Sequence, residues 1–340
     1  MTITWAGRPV LVTGGASFIG SHLVEALLGR GASVRVADDL SSGTLDNLRV
    51  NLDAGRIDFR EGDLRDQGFA AECARGIGTV FHLAADHGGR GYVDLNQSAC
   101  ATNLVLDGVV FNASVAAGVE QVIYASSGCV YPNFRQMDPA EEVFLSEESA
   151  GPPYDADNLY GWAKLMGEMT LAALCREGKL KGASCRYFTV YGERGRENHA
   201  VIAMIARAFI GQDPFLVWGT GEQVRNWTYV GDVVEGTIRA AEAIEDGSPV
   251  NIGTMERIRV IDAVRDVLRY TGRSPRIEFQ PAMPTGPLNR VADNSLSERL
   301  LGWRPGVRFE EGLQRTIDWY FATKDRDEVS RSLDSWLTTR

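Results

Sequence analysis

Tyr160 and Lys164 stand four residues apart in Tyr160-Gly161-Trp162-Ala163-Lys164. On a helix that spacing puts a phenol and an ammonium on one face, one turn apart. A cation held there favours the phenolate, so the tyrosine is expected to exchange protons well below the ordinary phenol pKa of about 10. Upstream, Ser126-Ser127-Gly128-Cys129-Val130-Tyr131-Pro132 offers a hydroxyl, Ser127, and a thiol, Cys129. A simple dehydrogenase has no use for that thiol, which adds a second proton-transfer group. An isolated cysteine is commonly a small buried apolar residue, and that reading is kept for Cys73, Cys100, Cys175 and Cys185.

A second cluster suits an anion. Thr13-Gly14-Gly15-Ala16-Ser17-Phe18-Ile19-Gly20 follows an apolar strand and opens a helical pattern. In that context the N–H groups and the positive helix end face a pyrophosphate. Ser17 sits where a third glycine is common, so its side chain either crowds the phosphates or donates to them. Asp38 ends the next strand, 18 residues after Gly20. A carboxylate there accepts from ribose hydroxyls and repels a 2′-phosphate, which favours NAD over NADP. Asp39 is adjacent, and one of the two aspartates caps the following turn. Gly62-Asp63-Leu64 is placed to meet adenine, with a turn role open for Asp63.

These groups need a scaffold. Short apolar runs at Val10–Val12, Ser33–Ala37, Arg56–Phe59, Thr79–Leu83, Gln121–Ala125 and Ser184–Phe188 read as strands, with helical stretches between them, including Asn103–Ala117. Alternating strands and helices predict an α/β fold with a doubly wound parallel (Rossmann) sheet. After Gly192 the pattern changes to a helix at 200–210, an extended Phe215–Gly219, helices near 258–271 and 310–321, and a Pro-rich link at 281–287. The expected organisation is a dinucleotide domain over 1–190 with segments returning at about 226–253. A smaller C-terminal substrate lobe takes 191–225 and 254–330, and 331–340 is set apart as a tail, with either a terminal helix or a frayed end open for 323–340, which is charged and ends apolar at Leu333, Trp336 and Leu337.

The 340 residues, net charge of -10 and pI of about 5.1 leave no global basic footprint, so nucleic acid is not an expected partner. Five cysteines without CxxC spacing argue against a disulfide framework or a zinc site, and no metal is expected. The chain reads straight into a strand without a leader, and no apolar run reaches the roughly 20 residues of a membrane span. A cytoplasmic protein without a membrane partner is expected.

Together the glycine turn, Asp38, Gly62-Asp63-Leu64, His82-Leu83-Ala84-Ala85, Ser126-Ser127, Tyr160/Lys164, Tyr187–Gly192, Gly219–Arg225 and Val250–Gly253 resemble, in order, the extended short-chain dehydrogenase/reductase family that acts on nucleotide sugars. Two stretches are most similar to GDP-mannose 3,5-epimerases and next to GDP-fucose synthases: Ala84–Tyr92 with its Gly-Gly loop, and Ser126–Pro132 continuing to Gln136. The resemblance implies NAD held by Gly14, Ser17, Phe18, Ile19, Gly20, Asp38, Asp63, Leu64, Ala84, Ala85 and Asn103, with Tyr160 and Lys164. It implies catalytic roles for Tyr160, Lys164, Ser127 and Cys129. Counting back from Trp218-Gly219 puts His199 where those epimerases carry a catalytic lysine. A nucleotide-diphosphate sugar would lie against Gly88, Gly89, Arg90, Thr189, Arg225 and Arg290, and a homodimer would form through paired helices. His87 adjoins the Gly-Gly loop, where it would line the sugar pocket without a catalytic role. The chain departs from the pattern at Ser17, Thr189 (for Asn) and Asn226 (for Asp).

The expected chemistry follows. A sugar C–H is too weakly acidic for a side chain to remove until C4 is a ketone. Tyr160 would take the O4 proton, with Ser127 on O4 and Lys164 beside the phenolate. Cys129 and His199, with ordinary pKa values of about 8.5 and 6.5, would then exchange a proton at C3, C5 or both. A 4-epimerase needs neither of these last two and is the main alternative. An epimerase–reductase, a dehydratase and a non-catalytic cofactor sensor rank lower.

Overall fold

Val10 and Val12 point to one side of their strand and Leu11 to the other, and all three are buried. Successive side chains on a strand alternate faces, so a strand buried on both sides must sit inside a sheet covered twice. The computed structural model, which describes residues 3–339, shows that arrangement. Strands β1 (Pro9–Thr13), β2 (Ser33–Asp38), β3 (Ile57–Glu61), β4 (Thr79–His82), β5 (Gln121–Ser127) and β6 (Lys181–Tyr187) join a seventh, Asp246–Ile252. They run in the order β3-β2-β1-β4-β5-β6 and then the seventh strand, every pairing parallel.

Each face has its own core. On one side Val10, Val12, Val34, Val36, Phe81 and Ile123 pack on Leu23, Val24 and Leu27 of helix α1 (Phe18–Gly29) and on Val233, Val234 and Ile238 of helix Val230–Ala243. On the other, Leu11, Val80, Val122 and Tyr124 meet Leu106, Val110 and Phe111 of helix Asn103–Ala116 and Leu171 of helix Asn158–Arg176. The stretch Gln97–Ala116 does reach the length and mean hydropathy, 1.4, of a membrane span. This corrects the sequence expectation that no run does. Its buried face carries Asn103, Asp107 and Ser114, which are hydrogen-bonded inside the domain, so here it is a core helix.

The direction of winding reverses between β1 and β4, and a ligand crevice opens at the carboxyl ends of such strands. The second lobe faces that crevice. Helix Ala200–Ile210 is its centre, packed with Phe215, Val217, Trp227 and helices Val260–Thr271 and Phe309–Thr323. Left-handed glycines, Gly211 and Gly272, end two of these helices. Short strands not anticipated from sequence add pairings outside the main sheet: Thr189–Tyr191 with Trp227–Tyr229 at the border of the sheet domain, and Asn289–Arg290 with Val224–Arg225 in the lobe.

At the C-terminus, of the two forms left open by the sequence, the structure shows the helix and no loose tail over 331–339. Arg326–Trp336 is a helix capped by Asp325, and Val329, Leu333 and Leu337 are buried in the lobe core. Three apolar residues at helical spacing suffice to hold it down. Leu333→Ala is expected to cost about 2–5 kcal/mol in urea unfolding, as a core truncation does; a loose tail would give under about 0.5 kcal/mol.

Candidate active site

One cleft, with a volume of about 440 Å3, runs from the glycine turn across the ends of β1 and β4 into the second lobe. At its head, Gly14 has a φ of +69° and lies so close to the next loop that a Cβ would come within 2.9 Å of Ala84 N. A Cβ on Gly20 would collide with Gly14 O. Only glycines allow this tight strand–turn–helix, and the amino end of α1 therefore opens onto the cleft. Ser17, Phe18 and Ile19 line the same wall. Ser17 adopts an extended N-cap conformation with its Oγ 3.5 Å from Ser42 Oγ, so the side chain turns toward a neighbouring loop.

Asp38 is buried at the cleft edge, where its two oxygens accept from Ala16 N and Leu40 N, each at 2.9 Å. Asp39 is exposed and is the turn cap, accepting from Ser41 N. Asp63 is also exposed and pairs with Arg65, while Leu64 is buried beside it on the cleft wall. Ala84 and Ala85 line the cleft too. Asn103 does not. Its amide is spent on the main chain of Asp86, accepting from Asp86 N at 2.7 Å and donating to Asp86 O at 3.0 Å. These two bonds hold the loop that leads to His87.

The floor holds the proton chemistry. Thr13 Oγ1 accepts from Leu83 N and Ala84 N, so its own proton goes to His82 Nδ1 at 2.8 Å. His82 is thereby the tautomer that donates from Nε2 to Asp107 at 3.1 Å, and burial keeps it neutral by lowering its pKa. Burial would raise the Asp107 carboxyl, but Lys164, His82 and Tyr124 together hold it low. Lys164 is buried with no hydrogen-bond partner on Nζ, which lies 4.6 Å from the centre of the Tyr124 ring and 5.9 Å from that of Tyr160. Burial lowers the Lys164 pKa, and Asp107 and Glu168 oppose the drop.

Tyr160 departs from expectation. Its phenol is pushed up, chiefly by burial among Val93 and Cys100 and then by the neighbouring Cys129; a Ser127 hydrogen bond only partly offsets this. The four-residue spacing did bring the lysine to the right face. Its ammonium, however, sits over a different ring, so desolvation outweighs it.

Cys129 follows the end of β5, and its Sγ accepts from Arg290 Nη1 at 3.2 Å. Arg290 also donates to Gln136 Oε1 at 2.7 Å and to Asp157 at 2.9 Å. Arg90 grips the same Asp157, at 2.7 and 3.2 Å, and Asp94 as well. Both arginines line the cleft, and each is tied to protein carboxylates there, including Arg290, which the sequence offered with Arg225 for the diphosphate. Arg225 is the better candidate: it donates only to the carbonyls of Val224 and Thr285. Its pKa is pushed down to about 9 by burial and by Arg290 and Arg90, an imbalance that an anion would relieve. Gly88 and Gly89 line the cleft, but the space left by their missing side chains is filled by Tyr92 and by the Asn198 main chain. Thr189 is on the wall as expected.

His199 is half-buried at the N-cap of Ala200–Ile210, and enclosure followed by Arg196 pushes its imidazole down to about 4. That is below the ordinary value of about 6.5, because burial first and the Arg196 cation second disfavour the imidazolium. Two residues, Arg207 and Asp157, escaped the sequence reading. Arg207 is buried with no partner on Nε and breaks an otherwise apolar helix, which was a usable signal. Asp157 gave no signal; His87, expected beside the sugar pocket from its place next to the Gly-Gly loop, lines the cleft with its ring stacked on Tyr160 at 4.8 Å.

A glycine cradle at a helix end, a ribose-level carboxylate and a buried, unpartnered ammonium define a dinucleotide-dependent enzyme. The comparisons agree. Residues 10–253 match the model of the NAD dependent epimerase/dehydratase family, and the chain belongs to that family of nucleotide-sugar enzymes. It is 33% identical over 336 residues to GDP-mannose 3,5-epimerase of Arabidopsis thaliana, covering 95% of this chain and 85% of the relative. Among solved structures it resembles the UDP-glucose 4-epimerase of Thermotoga maritima with UDP-glucose, with a TM-score of 0.83, 30% identity and coverage of 93% and 99%. The Thermus thermophilus UDP-glucose 4-epimerase complexed with NAD gives a TM-score of 0.82, 28% identity and coverage of 93% and 100%. The cofactor is NAD, and the residues present fit it: Gly14 to Gly20 for the pyrophosphate, Asp38 for ribose, Lys164 at the far end.

Charged hydrogen bonds are worth about 1.5–3 kcal/mol, so Asp38→Asn is expected to weaken NAD binding at least about tenfold and to narrow the preference over NADP, read by calorimetric titration. His199 predicts an acid limb. Between pH 6.5 and 4 the unfolded chain takes up a proton that the folded one refuses, so stability falls as pH drops through that window. His199→Asn should flatten that limb in thermal melts taken across the range.

Proposed function

We propose that this enzyme is a nucleotide-sugar epimerase that inverts C3, C5 or both, beside a transient ketone at C4. The observation that carries the reading is the Cys129 thiol, held against the Arg290 guanidinium at 3.2 Å next to Tyr160. A 4-epimerase needs a hydroxyl, a phenol and an ammonium, and nothing in its chemistry calls for a positioned sulfur.

Bound NAD supplies reversible two-electron oxidation at the sugar's C4. The chain does the rest. Ser127 and Tyr160 meet O4, and Tyr160 takes its proton. To take it, Tyr160 must be the phenolate; burial opposes that form, and the buried Lys164 ammonium, 5.9 Å from its ring centre, is the cationic side chain on the cleft floor that favours it. The ketone renders the flanking C–H bonds acidic, and Cys129 exchanges a proton there. Arg225, with its unbalanced charge, receives the diphosphate. The 33% identity to a GDP-mannose 3,5-epimerase supports the same assignment.

The second reading, 4-epimerisation, is favoured by the structural likeness to UDP-glucose 4-epimerases. We also infer a homodimer. Leu104, Val105, Leu159, Trp162, Met166 and Met169 are exposed on the two helices that cover one face of the sheet, and a second copy would bury them.

Incubation with GDP-mannose and with UDP-glucose in heavy water separates the two reactions. Deuterium at C3 or C5 is expected; inversion at C4 without uptake establishes the alternative. Cys129→Ser is expected to slow uptake by about 100-fold or more while NADH still forms on the enzyme. Uptake at an undiminished rate removes Cys129 from the reaction.

A further inference from the structure

We propose that His87 is the imidazole that exchanges a proton at the carbon flanking C4, on the ring face that Cys129 does not serve. The inference rests on the C3/C5 reading above and names its missing partner. Inversion at carbon needs one group to remove a proton and another to return one from the opposite side. Cys129 can be only one of them.

The structure offers two imidazoles in the cleft, His87 and His199. His87 is the one whose ring stacks on that of Tyr160, with centroids 4.8 Å apart and an interplanar angle of 25°, whereas the ring contact of His199 is with His87, at 5.6 Å. Cys129 approaches Tyr160 by another route. It follows the end of β5, and its Cβ would lie 3.3 Å from a Cβ on Gly161. Thiol and imidazole thus reach the phenol from two separate loops.

The loop that carries His87 is built to hold it still. Asn103 grips the main chain of Asp86 at both N and O, and Tyr92 donates to the Asp86 carboxylate at 2.8 Å. On the other side Gly88 fits under Tyr92, and Gly89 fits against the Asn198 carbonyl with no room for a side chain. A fixed backbone on both sides is what a proton-transfer group needs, since small misplacements cost rate steeply. His199 is poorly suited by contrast: it caps a helix N-terminus beside Arg196, and both oppose the charged form.

The step balances without further reagents. The C–H bond beside the ketone breaks, its proton goes to the His87 ring, and the electron pair moves onto O4 as an enediolate. The Cys129 S–H then delivers its proton to the opposite face of the same carbon. Imidazolium and thiolate exchange with solvent, which is how deuterium enters. No net oxidation accompanies the transfer.

The test uses the full-length enzyme with its NAD, GDP-mannose as probe and heavy water as solvent. His87→Gln is expected to form NADH from the sugar as the unmodified protein does, yet to take up deuterium at C3 or C5 about 100-fold or more slowly. His87→Phe keeps an aromatic ring on Tyr160 and is expected to behave alike, which removes lost stacking as the cause. Free imidazole is expected to restore part of the exchange in His87→Gly, a rescue that a purely structural role would not show. Uptake at the unmodified rate in His87→Gln, with NADH forming, overturns the inference. So does a His199→Asn variant that stops exchange while His87→Gln does not. If the unmodified protein takes up no deuterium at all, the C3/C5 reading itself fails and the inference falls with it.

Discussion

An ammonium lies under the cleft, nearly sealed from water, with no hydrogen bond to any protein atom. Burying a charge this way is costly unless counter-charge and polarisable surface surround it. Much of the first domain's interior is arranged around that need. Asp107 supplies the opposite charge, held in place by His82 and Tyr124, and the Tyr124 ring lies 4.6 Å from the ammonium. His82 is fixed in turn by Thr13, the last residue of β1, whose hydroxyl also ties down the loop leading to His87. The cofactor wall and the proton-transfer floor are therefore one hydrogen-bonded unit.

A second unit joins the two lobes. Asp157, at the head of the helix that carries Tyr160, receives Arg90 from the Gly-Gly loop and Arg290 from the second lobe, and its N–H donates to Cys129 O at 2.8 Å. Burial works against this carboxylate, but the two arginines hold it ionised. Removing either arginine would leave a poorly compensated charge, so the pairing acts as a positional lock more than as a source of net stability. It fixes the thiol relative to Tyr160 by joining four segments that are distant in sequence.

Much of this was legible beforehand. The short apolar run Val10–Val12, the glycine turn and the apolar stretch Ala200–Ile210 placed strands and helices close to where they stand, because those patterns are local. Tyr160, Lys164, Ser127 and Cys129 share one cleft with Asp38 as the resemblance implied. The rest was of another kind. The segment Thr189–Tyr191 is a strand only because Trp227–Tyr229 comes beside it. The C-terminal helix is held by a core it meets in three dimensions, and the Asn103 amide is bonded to a loop main chain.

Sequence alone determined the order of elements, the dinucleotide cradle and the types of group available for proton transfer, since periodicity, turn chemistry and spacing act over a few residues. Tertiary structure decided the electrostatic state of each group and which groups are neighbours. Tyr160 is raised where spacing suggested a lowered phenol, His199 is pushed to about 4, and Arg90 and Arg290 are bound to Asp157. His87 lies on the tyrosine 73 positions away in the chain. Burial and charge depend on everything within a few ångströms, and a linear chain does not state its own neighbours.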